Sequence, residues 1–308
     1  MKPNAFITGV GGFVGPYLAR HLVKKGYQVS GIDRKGSVID GCIVEKCDVT
    51  DYDSLFAIVS RIKPDCIFHL AGQSSVAKSW DEPELTKRVN VGGTKNLFQA
   101  VAAAKINPRI LLVSSAEVYG VPKSVPITEE HPVSPISPYG ESKVEQERLA
   151  MEFTSKHKMQ IIIARSFNHT GPGQPPDFVC SNFAMQIADI EKGKQKPVIK
   201  VGDRMVKRDF SDVRDIVSAY LLLIEKGISG EVYNVCSGRA FTIGEILDKL
   251  LNLSSIKVKV EPDPSKMKNS IVPVLQGDYS KLVRATGWKP TISIDKTLSD
   301  ILEYWRKR

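Results

Sequence analysis

Thr8-Gly9-Val10-Gly11-Gly12-Phe13-Val14-Gly15 follows the apolar run Ala5-Phe6-Ile7 and precedes a stretch of helical periodicity at residues 14–25. A strand turning into a helix through glycines at this spacing suits a dinucleotide. Gly9 permits the tight turn, Gly12 lets the backbone approach a pyrophosphate, and Gly15 lets the helix pack on the sheet. The helix N-terminus then points its unpaired N–H groups at the phosphates. The same glycines also fit an ordinary strand-to-helix turn, so their neighbours must decide. The next strand ends in Asp33, about twenty residues beyond the turn, where a carboxylate accepts from both adenosine ribose hydroxyls and repels a 2′-phosphate. Arg34-Lys35-Gly36 follows. That string also makes Asp33 a turn residue, and the Arg34 guanidinium suits the same phosphate. Asp48, after the third strand, either faces the adenine or starts a helix within Asp48-Val49-Thr50-Asp51. The expected cofactor is NAD(P)H, with NADH favoured through Asp33.

Working outward, near-continuous apolar runs at 5–8, 28–32, 66–70, 110–114 and 161–165 alternate with amphipathic stretches at 14–25, 54–62, 84–104 and 138–156. Strands apolar on both faces belong to a parallel sheet covered on both sides, and the alternation makes the fold α/β, a doubly wound, Rossmann-like sheet. Residues 1–165 are expected to form the NAD(P)-binding domain. From 166 to 308 the pattern coarsens into a Gly- and Pro-rich loop at 171–176, a helix at 178–192, and small strands and helices. This part is expected to be a smaller mixed α/β substrate-binding lobe, with some of the chain returning to the sheet. Ligands in open α/β sheets bind beyond the carboxyl ends of the strands, the edge such a lobe covers.

Composition narrows the function classes. A chain of 308 residues that is 42% hydrophobic and 25% charged is an ordinary globular protein, which excludes disordered and coiled-coil readings. Its apolar runs are far shorter than the ~18 to 20 residues of a membrane span. Lys and Arg number 43 against 34 Asp and Glu, a net +9 that favours anionic partners. These charges are scattered, with no arginine-rich arm and no zinc-finger spacing, so small polyphosphate ligands fit better than nucleic acid. Five cysteines without a Cys-x-x-Cys pair read as reduced thiols of a cytoplasmic protein, not as a disulfide framework or a metal site.

Tyr139 and Lys143 stand four apart at the start of a helix in Pro138-Tyr139-Gly140-Glu141-Ser142-Lys143, so both lie on one face. A free phenol with a pKa of ~10 is a poor base, and a nearby ammonium is expected to bring it down toward the useful range. Ser114-Ser115-Ala116-Glu117 ends the preceding strand, so the Ser115 hydroxyl can bind the same substrate oxygen from the other side. Any Tyr and Lys four apart on a surface helix look alike; pair, serine and glycine turn in this order do not arise easily by accident.

Together with His69-Leu70-Ala71-Gly72-Gln73, Asn90 and Gly287-Trp288-Lys289-Pro290, these residues resemble the extended short-chain dehydrogenases/reductases acting on nucleotide sugars, over nearly the whole chain. The sharpest strings are Arg165-Ser166-Phe167-Asn168-His169-Thr170-Gly171-Pro172-Gly173-Gln174, Asp177-Phe178-Val179, Arg208-Asp209-Phe210 and Tyr233-Asn234-Val235-Cys236-Ser237-Gly238. They are similar to the branch that reduces GDP-4-dehydro-6-deoxy-D-mannose to GDP-D-rhamnose. The related dehydratases usually carry Gln-Asp at Phe13-Val14, His-Glu-Ser-Pro at His169 to Pro172, and Trp at Phe210. The resemblance implies a GDP-sugar substrate, with Ser115 and Tyr139 at its carbonyl and Lys143 holding the nicotinamide ribose. It implies a cofactor cradle of Gly9, Gly12, Phe13, Val14 and Gly15, continued by Asp33, Arg34, Asp48, Val49, Leu70, Ala71 and Gly72. Asn168 and Arg208 would grip the diphosphate, joined by Lys268 where many relatives carry arginine, and Ser74, Ser75 and Glu117 would line the sugar. Glu117 matches the dehydratases' carboxylate base, but Ala116 offers it no partner, so elimination of water is only half equipped.

Elsewhere the plainer reading is preferred. His69 reads as a packed core histidine beside the cofactor, and Trp80, Trp288 and Trp305 read as packing residues. Leu97, Val101 and the apolar side of 144–151 exceed what one sheet face needs, which points to a homodimer. The rivals to a reductase are a 4,6-dehydratase or 4-epimerase of the same fold, and a dinucleotide-sensing module without chemistry. Retention of Ser115, Tyr139 and Lys143 argues against the module, because binding alone needs no tuned phenol.

Overall fold

The structure, a computed structural model, describes residues 2–264 and 272–308. The chain enters as β1 (Asn4–Thr8), passes the glycines into α1 (Gly15–Lys24), and continues through β2 (Gln28–Asp33), β3 (Cys42–Lys46), α2 (Tyr52–Ile62) and β4 (Cys66–His69). Two short helices, α3 (Val76–Asp81) and α4 (Pro83–Lys87), lead into α5 (Gly93–Ala103), β5 (Arg109–Ser115), α6 (Pro138–His157) and β6 (Gln160–Ser166). The later chain supplies β7 (Asn168–Thr170), α7 (Val179–Glu191), β8 (Val198–Val201), β9 (Lys207–Asp212), α8 (Val213–Lys226) and β10 (Val232–Val235). It ends in β11 (Ala240–Thr242), α9 (Ile243–Leu251), β12 (Lys259–Pro262), β13 (Val274–Leu275), α10 (Ser280–Thr286) and α11 (Ile294–Arg306).

Seven strands form one all-parallel sheet in the order β10-β6-β5-β4-β1-β2-β3. Both faces are covered, which is why its strands read as continuous apolar runs. On one face Leu18 and Leu22 of α1 pack with Tyr220 and Leu223 of α8. On the other, Leu55 of α2, Leu97 and Phe98 of α5 and Phe153 of α6 do the same. Each such side chain contributes about 1.5–3 kcal/mol by leaving water. Strand β1 sits between β2 and β4, with Thr8 in register with both Ile32 and His69. The strand order reverses there, so the carboxyl ends of β1 and β4 open a crevice at the glycine turn.

The later chain builds a mixed layer at that edge. Strand β9 pairs with β7 and β13 in parallel and with β11 antiparallel, and β8 pairs with β12. A separate core of Phe183, Ile187, Leu247 and Leu298 lies beneath. The chain also returns to the large sheet, where β10 adds an edge strand beside β6.

Three details differ from the sequence expectations. The single helix expected at 84–104 is interrupted by a π-helical turn at Arg88–Gly92, between α4 and α5. Asn90 in that turn donates to Gln73 O at 3.1 Å and to Ser142 Oγ at 2.9 Å, tertiary bonds that periodicity cannot show. Leu97 and Val101 are fully buried within the protomer, so they give no support to a dimer. Trp288 is buried, whereas Trp80 is 59% exposed and is not a core residue.

Candidate active site

The glycine turn has the shape its spacing demands. Gly9 adopts φ +72°, and a Cβ there would lie 2.8 Å from the Ala71 backbone across the crevice. At Gly15 a Cβ would lie 2.1 Å from Val10 O, which fixes how closely α1 meets the turn. Val14 makes no side-chain cap and the first turn of α1 holds no acidic residue, so its N–H groups remain available to an anion. A cradle that side chains would fill, closed by a helix N-terminus, fits the pyrophosphate of a dinucleotide.

Asp33 ends β2 directly over this turn, and a Cβ on Gly11 would strike Asp33 Oδ2 at 1.8 Å. Its Oδ1 accepts from the backbone N–H groups of Lys35 at 2.8 Å and Gly36 at 2.5 Å, so it also pins the following loop. Burial works to raise this carboxyl, but the hydrogen bonds of Ser37, Lys35 and Gly36 outweigh it and hold it below the usual range. Arg34 is exposed beside it. Asp48 accepts from Thr50 N at 2.9 Å and Thr50 Oγ1 at 2.8 Å, and the cap of α2 is Asp51, not Asp48. Val49 is buried against Gly93, where a Cβ would sit 2.6 Å away.

Leu70 and Ala71 are tied to Thr8 by N–H bonds of 3.1 and 3.2 Å, which places the end of β4 beside the turn. A Cβ on Gly72 would lie 2.9 Å from Asn90 Oδ1 and 4.0 Å from Lys143 Nζ, so this segment joins the glycine turn to the α6 residues. His69 is buried between Thr8 and Thr94 at 2.7 and 2.9 Å, and burial pushes it down to about 3. It is a neutral packed imidazole. The Phe13 ring stacks on His169 at 6.3 Å with 7° between planes, and the Tyr17 hydroxyl donates to Pro172 O at 2.7 Å. The first helix is thereby fastened to the chain leaving β7.

Ser115 closes β5, and its Oγ accepts from Glu117 N at 3.2 Å. Its hydroxyl also lies on the side of the Tyr139 phenol and favours the phenol's ionised form. Ser137 caps α6, so Tyr139 and Lys143 fall in its first turns, both buried. Lys143 Nζ donates to Val113 O at 2.9 Å and lies 5.7 Å from the centre of the Tyr139 ring. The expectation that Lys143 lowers the phenol is not met. Burial pushes Tyr139 upward, the Ser115 hydroxyl opposes this without prevailing, and Glu117 adds to it. The same burial pushes the Lys143 ammonium down to about 8, against the pull of Glu147. Desolvation dominates because both groups are enclosed. The phenol therefore keeps its proton at neutral pH, the state of a general acid.

On the other side of Ser115, burial raises the Glu117 carboxyl, opposed by the Arg208 guanidinium. Arg208 Nη1 donates to Val272 O at 3.0 Å. The adjoining Asp209 is buried and takes bonds from Ser237 N at 2.8 Å, Ser237 Oγ at 2.6 Å, Gly238 N at 2.9 Å and Gly277 N at 3.2 Å. Burial nonetheless raises it to about 6. Asn168 is exposed on β7, in register with Phe210. Ser74 is exposed, and the Ser75 hydroxyl is spent capping α3, accepting from Lys78 N at 3.2 Å. Lys268 lies outside the described residues. A cavity of about 350 Å³ opens between the start of α7 and the end of β8, lined by Asp177, Asn182, Phe183 and Val201 among others.

Sequence reasoning gave no site role to Asn90, Asp209 or Glu147. For Glu147 a signal existed: it stands four residues beyond Lys143, on the face of α6 that carries Tyr139.

Comparison with known proteins agrees with this arrangement. The profile described as GDP-mannose 4,6 dehydratase matches residues 6–301. The chain is 36% identical to GDP-6-deoxy-D-mannose reductase of Pseudomonas aeruginosa, over 100% of this chain and 99% of that protein. It is 28% identical to human GDP-mannose 4,6 dehydratase, over 98% of this chain and 91% of that protein. The solved structure of RMD from Pseudomonas aeruginosa complexed with NADPH superposes with a TM-score of 0.88 at 35% identity, covering 100% of both chains.

Proposed function

We infer the reaction from one premise: the chain belongs to the GDP-mannose 4,6-dehydratase family of extended short-chain dehydrogenases/reductases. Within it the protein is an NAD(P)-dependent reductase of GDP-4-dehydro-6-deoxy-D-mannose, forming GDP-D-rhamnose. When bound, the reduced nicotinamide supplies the hydride for C4 of the sugar. The Ser115 hydroxyl and the Tyr139 phenol bind the C4 carbonyl oxygen, and Tyr139 donates its proton as that oxygen becomes an alkoxide. Lys143 holds the nicotinamide ribose and stabilises the phenolate left behind. Arg208 and Asn168 take the diphosphate of the GDP-sugar.

The observation that carries this reading is the buried Tyr139 at the start of α6, with Lys143 Nζ 5.7 Å from its ring and Ser115 at the facing strand end, its phenol raised by burial so that it enters the reaction protonated. Two features favour reduction over dehydration. Glu117 has Ala116 as its neighbour, so position 116 offers no second acid or hydroxyl for removing water. The identity is also higher to the Pseudomonas reductase than to the human dehydratase. A cytoplasmic location completes the reading, in keeping with five free cysteines.

The test is product analysis by mass spectrometry. GDP-4-dehydro-6-deoxy-D-mannose is expected to be consumed with one equivalent of reduced cofactor oxidised, and GDP-mannose alone is expected to give no 4-keto product. A 4-keto product from GDP-mannose at a comparable rate would make the protein a dehydratase with Glu117 as base.

A further inference from the structure

Helix α6 carries Tyr139, Lys143 and Glu147 at four-residue intervals, all buried. The Glu147 carboxylate, 3% exposed, accepts from Ser114 Oγ at 2.6 Å and from Arg165 through Nε at 2.9 Å and Nη2 at 2.7 Å. Arg165, itself 4% exposed, also reaches the Tyr119 hydroxyl at 3.1 Å. Ser114 immediately precedes Ser115, and Lys143 is bonded to Val113 O of the same strand. One carboxylate thus ties the strand end that carries the serine to the helix that carries the tyrosine and lysine. Such a pair is a poor source of net stability, because the cost of desolvating two charges offsets their attraction and apolar residues of similar volume often serve as well. Its consequence lies in its neighbours.

We propose that Glu147 is a positioning residue for the reduction: clamped by Arg165 and Ser114, it fixes the end of β5 against α6 and keeps Lys143 cationic. The proposal rests on the reductase reading. Lys143 is faced by Tyr139 and Glu147 on its own helix, by neutral His69 from β4 and by Asn90 from the π-turn, while Glu117 lies beyond Ser115. Of these, Glu147 is the group whose charge raises Lys143 against burial. A cavity of about 490 Å³ along the outer side of α6, lined by Val133, Val144 and Met151, reaches Glu147 and Arg165. Substitution there can be rehydrated and need not leave a dry void.

Glu147→Gln keeps the volume and removes the charge. Hydride transfer, measured at saturating cofactor and GDP-4-dehydro-6-deoxy-D-mannose, is expected to fall on the alkaline side as Lys143 loses its proton. In Glu147→Gln that limb is expected about one pH unit lower than in the wild type, the scale of one nearby opposite charge. Glu147→Asp, which keeps the charge, is expected to hold the limb near its wild-type position. If Glu147→Gln strands the Arg165 charge and fails to fold, Glu147→Gln/Arg165→Gln removes both charges and is expected to lower the limb in the same direction by a smaller amount, because the guanidinium that opposes the carboxylate is lost with it. A folded variant whose limb stays in place overturns the proposal even if its melting temperature or kcat drops, since a purely structural pair would do as much. A limb displaced equally by Glu147→Asp overturns it too. Wild-type protein that reduces no 4-keto sugar overturns the reductase reading instead. The pH dependence of NADH binding, followed by fluorescence, then reports the Lys143 charge and decides the proposal independently.

Discussion

The glycine turn and strand β9 meet through the stacked Phe13 and His169, yet each offers a ligand a different kind of group. At the turn the groups are backbone, exposed by glycines whose Cβ atoms would collide with Ala71 or Val10. At β9 they are side chains, the half-buried Arg208 facing Glu117 and the buried Asp209 bonded to residues 28, 29 and 68 positions away. A backbone site is assembled within a few residues and costs little to desolvate. A side-chain site depends on loops distant in sequence and must offset the burial of each charge. Damage at the turn should therefore appear in cofactor parameters, and damage at β9 in those of the sugar nucleotide.

Tyr139 stands where the two ends join, and its loss tests the comparison most severely. Tyr139→Phe is expected to lower kcat by at least ~100-fold with an unchanged cofactor Kd, because it removes a proton donor and little contact area. Stopped-flow turnover and NADH titration measure the two quantities. Near-full turnover would transfer the acid's role to water or Glu117.

Arg208→Met should strike the β9 end alone. It is expected to raise KM for the GDP-sugar by ~10- to 100-fold, the worth of one or two hydrogen bonds to a charged group, and to leave cofactor affinity unchanged. Glu117 loses its opposing cation in this variant, so its carboxyl should rise further. An equal loss of cofactor affinity would mean that the two ends are not separate sites. At the other end, Gly11→Ala puts a methyl where Asp33 Oδ2 and Ser37 Oγ now stand, at 1.8 and 2.3 Å. The carboxylate has to move, and KM for NADH is expected to rise by ~10-fold with KM for the sugar nucleotide unchanged.

The same contrast explains what the sequence disclosed. The parallel sheet, the crossing helices and the placing of Tyr139 and Lys143 on one face were legible because each follows from local periodicity or from glycine spacing. The π-turn at Asn90 was not, since it depends on bonds to Gln73 and Ser142. Nor was the upward shift of Tyr139: the spacing revealed the neighbouring ammonium but not the enclosure that raises the phenol. Strand β3 is an edge strand carrying Glu45 and Lys46, so it never showed as an apolar run. Leu97 and Val101 misled because the inner side of α5 is covered by the protomer's own α2 and α6.

The smallest effect expected is the choice between NADH and NADPH, and it is decided within the turn itself. Asp33 lies over Gly11 with its carboxyl held ionised, so an adenosine ribose placed there meets two acceptors and a 2′-phosphate meets a like charge. Three backbone N–H groups already draw on this carboxylate, which spreads its charge into the loop and weakens the repulsion. Arg34 stands exposed next to it and can swing toward the phosphate. The two effects oppose each other, and NADH is expected to be favoured in kcat/KM by less than about tenfold, near 1.4 kcal/mol. Arg34→Ala should widen the margin and Asp33→Asn should reverse it, because each leaves one of the two opposing charges in control. If NADPH were preferred more than tenfold by the wild type, the guanidinium and not the carboxylate would decide, and Arg34→Ala should then abolish that preference.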